Sequence, residues 1–193
     1  SANADDDRLV ALDRLARTVH ALNFLSTVEG DGLLFLNVHG RLLATVSSDH
    51  GAAFRKVVDA LGLPPARIVI ETPLAASRQP DLLAFVLRNY RNNGFQVAIN
   101  VESPEQWRTL CIGVPAQFGK IDGARLLQAE DWRARADGMA AVRDQVRIVV
   151  TRLEHELDGP LPEQVCVQGH AYGLPAARAA SPRARRQALE HCA

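Results

Sequence analysis

Six short runs of predominantly apolar residues recur along the chain and predict six β-strands. They cover residues 33–38, 67–71, 96–100, 118–122, 147–151 and 164–168. Most of the runs are almost continuously apolar rather than alternating, which is typical of strands buried on both faces of a parallel sheet.

The segments between these runs carry helical periodicity. Residues 6–27 predict an amphipathic helix with acidic residues near its start, where the helix dipole favours them. One side of this helix would carry Leu9, Leu12, Val19, Leu22 and Leu25. Further helices are predicted over residues 50–61, 80–92, 104–110, 123–146 and 176–192.

Local signals place the ends and breaks of these helices. Ser77 and Ser103 are the candidate N-caps of the helices that start at Pro80 and Pro104. A break is expected near Gly138, and the last helix must bend or restart at Pro182.

Strand–helix alternation repeated six times predicts an α/β fold. A complete eight-unit barrel takes about 250 residues and at least about 200, whereas this chain has 193. We therefore predict a TIM-barrel-like fold, incomplete or contracted, with about six parallel βα units. No low-complexity linker divides residues 5–193, so they are interpreted as a single domain, and residues 1–4 as a cloning remnant. The open strand edges of such a barrel predict that the first helix covers the gap or that a homodimer buries it.

Charge and composition exclude several classes of partner. The 22 basic and 22 acidic residues balance, so no basic field for nucleic acid covers the surface. The arginines of the last helix are interpreted as a solvated face. No apolar run reaches the length of a membrane span. Three cysteines, far apart, favour a reducing, cytoplasmic location over disulfides or a zinc site.

Side-chain patterns typical of cofactor or metal chemistry are missing from the sequence. The six histidines lack ligand spacing, and the Glu154–His155–Glu156 triplet differs from a metalloprotease motif. Trp107 and Trp132 are expected to pack in the core. No cofactor is predicted.

Five motifs in order nevertheless resemble the EAL domain, a barrel family that hydrolyses the bacterial second messenger cyclic di-GMP. They are Leu-Phe-Leu-Asn37, the stretch from Gly62 to Glu71-Thr, the stretch from Leu87 to Asn100, Phe-Gly-Lys120-Ile-Asp122, and Val-Gln168-Gly-His-Ala-Tyr-Gly-Leu-Pro175. The resemblance runs from about Leu12 to Pro175. The family's first two strands, including the one with the Glu-Ala-Leu signature, have no counterpart.

The resemblance implies a family metal site that is largely lost here. Two family ligands match Asn37 and Glu71, and Lys120, Asp122, Glu154 and Gln168 match further motif positions. The family's central aspartate pair falls on Asn100 and Val101, its second strand-end glutamate on Leu74, and its later metal-binding glutamate on Thr151 or Arg152. One carboxylate and one amide bind a divalent cation poorly. The resemblance therefore implies a catalytically inactive member without a bound metal.

Purely structural roles stay open for the same residues. Asn37 and Glu71 can cap loops at strand ends, and Lys120 can form a buried ion pair with Glu71 or bind a phosphate or a partner's carboxylate. Gln168-Gly169 can be a backbone turn.

Three functions follow from the resemblance. The first is a cytoplasmic, inactive signalling module that works through an unidentified protein partner. The second is a receptor that binds cyclic di-GMP without cleaving it, although the signature strand that contacts the nucleotide is missing. The third is an active phosphodiesterase, against which the lost carboxylates argue.

Overall fold

The computed structural model describes residues 2–27, 32–38 and 50–173 of the chain. The helices are α1 (Ala2–Thr27), α2 (His50–Ala60), α3 (Pro80–Asn92), α4 (Pro104–Cys111), α5 (Gly123–Leu126) and α6 (Trp132–Ala140). The strands are β1 (Leu34–Asn37), β2 (Ile68–Thr72), β3 (Gln96–Val101), β4 (Phe118–Asp122), β5 (Arg147–Thr151) and β6 (Val165–Val167). Short 3₁₀ turns cover Pro65–Arg67, Leu74–Arg78 and His170–Tyr172.

The six strands form one sheet in the order β1-β2-β3-β4-β5-β6. Parallel registers pair Asn37 with Glu71, Asp122 with Thr151, and Val150 with Val167. The predicted fold class is confirmed: the chain is α/β and TIM-barrel-like, with six parallel strands in its described part instead of the eight of a complete barrel.

The central strands are buried because their side chains are apolar on both faces. Ile68, Val69 and Ile70 are fully shielded from solvent, as the continuous apolar run predicts. Helices supply the second layer on the sheet.

The chain divides into two compact units. The first unit comprises Ser1–Ala98 with Gly113–Pro115, and the second comprises Ile99–Ile112 with Ala116–Ala193. The single-domain interpretation stays a prediction.

Helix α1 lies against β1 and α2 in the first unit. Arg17, Ala21 and Phe24 form its buried side. The guanidinium of Arg17 lies 4.8 Å from the centre of the Phe54 ring and donates a hydrogen bond of 3.3 Å to the Tyr90 hydroxyl. A second guanidinium, that of Arg67, lies 4.8 Å from the centre of the Phe24 ring. These contacts decide which side of the helix faces inward.

The apolar side that the sequence predicts for α1 faces outward. The side that carries Leu12, Val19, Leu22 and Leu25 is exposed, not packed on the sheet. The reason is that an arginine and an aromatic ring, rather than the leucines, fit the aromatic cluster of the first unit, where Phe95 stacks on Phe54 at 5.4 Å.

Trp107 is the centre of packing in the second unit. Its side chain is fully buried, and its indole N–H donates a hydrogen bond of 2.7 Å to the Met139 carbonyl oxygen. A Cβ at Gly119 would lie 2.9 Å from the Trp107 ring, so only glycine lets β4 approach this closely. Trp132 is buried as well, which confirms the core interpretation of both tryptophans.

Three helix predictions need correction. The segment 123–146 contains two short helices whose break lies between Leu126 and Trp132, and Gly138 is inside α6. The N-cap of α3 is Gln79, because the Ser77 hydroxyl instead donates to the Leu74 carbonyl oxygen within a 3₁₀ turn. Ser103 does cap α4.

The alternation of strands and helices also stops after β5. Residues 152–164 connect β5 to β6 without a helix, and α6 contacts both strands instead. The helix predicted over residues 176–192 lies outside the described residues. Among the helices that the structure describes, none has the length and apolarity needed to cross a bilayer.

Candidate functional site

In the first unit, β1 and β2 bring two predicted site residues to the same end of the sheet. Asn37 and Glu71 are register partners, and the Val38 N–H continues the ladder to the Glu71 carbonyl oxygen at 2.9 Å. Side chains at paired positions of parallel strands extend to the same face. Asn37 is exposed and Glu71 is buried, so the pair offers one amide and one shielded carboxylate.

The segment that follows β2 supplies no second carboxylate to this pair. The Thr72 hydroxyl donates to the Ala98 carbonyl oxygen at 3.3 Å, and Leu74 begins a 3₁₀ turn. Leu74 occupies the position where the resemblance would put a second glutamate.

In the second unit, β3 ends in Asn100 and Val101, and Val101 is buried. The loop after it is closed by helix-capping bonds. The Ser103 hydroxyl accepts the Gln106 N–H at 3.2 Å, and the Gln106 side-chain oxygen accepts the Glu102 N–H at 2.6 Å. This turn therefore serves to start α4.

Asp122, at the end of β4, has both carboxylate oxygens engaged. Oδ1 accepts the Ala124 N–H at 2.9 Å and caps α5, and Oδ2 accepts a hydrogen bond of 3.0 Å from the Arg152 guanidinium. The resemblance matches Asp122 to a family motif, whereas its role as a helix cap was not predicted. The signal was an aspartate directly before a short helix.

The end of β5 carries a cation where a metal ligand would be expected. Thr151 closes the strand and donates its hydroxyl proton to the Ile121 carbonyl oxygen at 3.3 Å. Arg152 follows with φ of 60°, a left-handed conformation that is uncommon for a residue with a side chain. This turn directs the exposed guanidinium to Asp122.

Lys120 also belongs to the second unit and is buried within β4. Its predicted ion pair with Glu71 stays a prediction.

Gln168 and Glu154 lie at the end of β6 and in the loop after β5. The Gln168 N–H donates to the Val150 carbonyl oxygen at 2.9 Å, so its backbone extends the β5–β6 ladder. A Cβ at Gly169 would lie 2.2 Å from backbone atoms of Leu153, so the close approach requires glycine there. Glu154 lies 3.4 Å from the ring nitrogen of His170 at the protein surface. The backbone at Gln168-Gly169 is therefore fixed by the ladder and by close packing on Leu153, and a binding role of the Gln168 side chain stays a prediction.

The residues present do not fit a two-metal centre. Hard divalent cations need several carboxylate oxygens that converge with free lone pairs. In the second unit the carboxylate of Asp122 is committed to an arginine and a helix start. Within residues 2–27, 32–38 and 50–173, no three acidic, histidine or cysteine side chains are grouped to hold an ion.

Burial makes one nucleophile of the second unit unreactive. Desolvation raises the pKa of the Cys111 thiol to about 12, against a smaller opposing effect of the Arg143 guanidinium. A thiol with so high a pKa is almost entirely protonated at neutral pH and is a poor nucleophile.

Comparison with known proteins gives structural relatives only. No family model matches the chain, and no curated protein does. Among solved structures, a PaMucR phosphodiesterase in complex with c-di-GMP aligns with a TM-score of 0.57 and 18% identity, over 79% of this chain and 70% of that one. The FimX EAL domain aligns with a TM-score of 0.58 and 17% identity, over 80% of this chain and 63% of that one. The EAL enzyme Bd1971 in a cGMP-bound form aligns with a TM-score of 0.50 and 17% identity, over 64% of this chain and 34% of that one. The sheet, its helices and these neighbours together establish that the chain has an EAL-like fold.

Proposed function

We propose that this chain is a catalytically inactive EAL-like module of cyclic di-GMP-related signalling, which works in the cytoplasm through contacts with protein. Among the residues that end β3, β4 and β5, Asp122 alone carries a carboxylate, and the engagement of this carboxylate is the observation that carries the loss of catalysis. Its two oxygens are held by the Ala124 N–H and the Arg152 guanidinium, at 2.9 and 3.0 Å. A cation would have to displace both bonds and approach a neighbouring positive charge.

The neighbouring strand ends support the same conclusion. Two-metal hydrolysis of a phosphodiester relies on carboxylates to hold both ions and on the ions to activate water. Asn100 and Thr151 contribute an amide and a hydroxyl, and Val101 contributes neither. The hydroxyl of Thr151 is already bonded to the backbone of β4.

The protein-contact part of the proposal is supported by exposed apolar side chains. The largest group lies on α1, and Phe85 and Ile112 are exposed elsewhere. Exposed apolar groups that lie together are typical of surfaces that bind other proteins.

A hydrolysis assay tests the catalytic part. Purified protein is incubated with cyclic di-GMP and Mg²⁺ or Mn²⁺, and the linear dinucleotide is quantified by chromatography against a protein-free control. We expect no product above the control. Product that grows in proportion to the protein concentration would contradict the proposal.

Two binding measurements test whether the protein has lost the ability to bind the metal ion and the nucleotide. Mn²⁺ titrated into the protein and followed by electron paramagnetic resonance should give only the signal of the free ion. Calorimetry with cyclic di-GMP, with and without Mg²⁺, should be silent. Micromolar binding of the nucleotide without cleavage would favour the receptor function; the c-di-GMP complex of the PaMucR phosphodiesterase is a precedent for nucleotide binding on this fold.

A further inference from the structure

The outward side of α1 carries a regular apolar seam. Leu12, Leu15, Val19 and Leu22 follow one another at intervals of three, four and three residues, and all four are exposed. Leu12 and Leu15 each expose more than 60% of their surface. This spacing is the a/d pattern with which one helix packs its side chains between those of a second helix.

The first unit cannot cover this seam by rotating α1. The opposite side of the helix is fixed by Arg17, whose guanidinium lies over the Phe54 ring and bonds the Tyr90 hydroxyl. Phe24, about two turns further on, is buried beneath the Arg67 guanidinium. The seam therefore faces solvent in the described structure.

The positions that flank the seam are uncharged. They are Ala11, Ala16, Thr18, Asn23 and Leu25. In helix pairs these flanking positions select the partner through charge, so a neutral flank gives an acidic or basic partner nothing to recognise. The same neutral, mostly small flank does not repel a copy of itself.

The spacing of residues along the seam is the same in both directions. Arg8, Leu12, Leu15, Val19, Leu22 and Ser26 are separated by four, three, four, three and four residues. In an antiparallel pair of identical helices, Leu12 therefore opposes Leu22 and Leu15 opposes Val19, each layer occurring twice about a two-fold axis. Arg8 then opposes Ser26, whereas a parallel pair would bring two Arg8 side chains together.

We propose that the chain associates with a second copy of itself through an antiparallel pairing of the α1 seams. The proposal identifies a partner for the protein-contact function proposed above and rests on that function for its biological role. The association itself is independent of catalysis. Hydrolysis or binding of cyclic di-GMP would therefore overturn the proposed function without affecting the proposed dimer.

The size of the seam sets the expected affinity of the dimer. From Leu12 to Leu22 the seam is about 15 Å long at 1.5 Å per residue. A single helix contact of that length buries less surface than a standard interface, which buries about 800 Å² per partner. We therefore expect a reversible dimer that forms at micromolar concentration.

Sedimentation velocity over a range from roughly one to a few hundred micromolar tests the association. The wild-type chain should shift from monomer to dimer. Leu15→Glu would place a charge in a central layer and should weaken dimerisation by at least about 100-fold. Because Leu15 is exposed, the far-ultraviolet circular dichroism of this variant should equal that of the wild type. Ile112→Glu, at an exposed apolar residue outside the seam, should dimerise as the wild type does. A wild-type monomer at every concentration, or a Leu15→Glu dimer of unchanged strength, would overturn the proposal.

Disulfide trapping tests the orientation. In a Cys192→Ala background, Leu15→Cys mixed with Val19→Cys should form a cross-linked heterodimer under mild oxidation, because the two positions share a layer only in the antiparallel pair. The remaining Cys111 and Cys166 are buried and should not interfere. Efficient cross-linking of Leu15→Cys with itself would indicate a parallel pair and overturn the proposed geometry.

Discussion

Replacement of Ile70 by alanine is a direct test of the β2 core. Ile70 is completely buried in the middle of β2 and is the register partner of Leu36 in β1. The substitution removes the equivalent of three methylene groups, each of which contributes about 0.8 kcal/mol when buried. The cavity that remains adds about 1–2 kcal/mol, because a sheet residue with neighbours on both faces leaves little room for collapse. We expect a loss of about 3.5–4.5 kcal/mol in the free energy of unfolding.

Ile112→Ala is the matched control. The same atoms are removed, but Ile112 is 89% exposed, so the free energy of unfolding should change by less than about 0.5 kcal/mol. Urea unfolding at submicromolar protein concentration gives both values without a contribution from self-association. Circular dichroism follows both units, whereas tryptophan fluorescence follows only the second, since Trp107 and Trp132 both belong to it. A loss below about 1 kcal/mol for Ile70→Ala, or a loss equal to that of Ile112→Ala, would refute the placement of Ile70 in a buried central strand.

Three further predictions use the same unfolding measurement; their test residues belong to the second unit, and the control Gly113 belongs to the first. Gly169→Ala should lower the free energy of unfolding by more than about 2 kcal/mol, because its Cβ would lie 2.2 Å from the Leu153 backbone; Gly113→Ala, with open space around the new Cβ, should not, and equal effects would contradict the close approach. Trp107→Phe should lower the free energy of unfolding by about 1–3 kcal/mol, because it leaves the buried Met139 carbonyl oxygen without its donor. An unchanged free energy of unfolding would argue against that hydrogen bond. For Cys111 the thiol pKa is about 12 when folded and 9.0 when unfolded. The contribution of the protonated thiol to the free energy of unfolding is therefore complete below pH 9 and is lost as the pH rises towards 12. Between pH 8 and 10 the wild type should therefore lose about 1.4 kcal/mol more than Cys111→Ala, and parallel pH profiles would contradict the raised pKa.

The strands and the fold class could be predicted from the sequence alone. The bounds of β4 and β5 are those of the apolar runs over residues 118–122 and 147–151. The cap at Ser103 was also local, because a serine before a proline and three residues before a glutamine is a helix start in any context. Such features follow from short stretches of chain and need no knowledge of distant residues.

The helix breaks and the orientation of α1 depended on tertiary contacts. Gly138 costs α6 about 1 kcal/mol relative to alanine, which the burial of its neighbours Ala136 and Met139 offsets. The leucines of α1 marked one side as apolar, but the contacts of Arg17 with Phe54 and Tyr90, far away in sequence, turned that side outward.

The residue types of the candidate site could be predicted from the sequence, but the contacts that engage their side chains could not. The replacement of acidic residues by Asn100, Val101 and Thr151 can be seen in the sequence once the motifs are aligned. The engagement of Asp122 cannot, because its partner Arg152 lies thirty residues away in the chain and reaches it through a left-handed backbone turn. Local sequence fixes which groups a strand end carries, whereas the pairing of strands decides which of those groups neutralise one another.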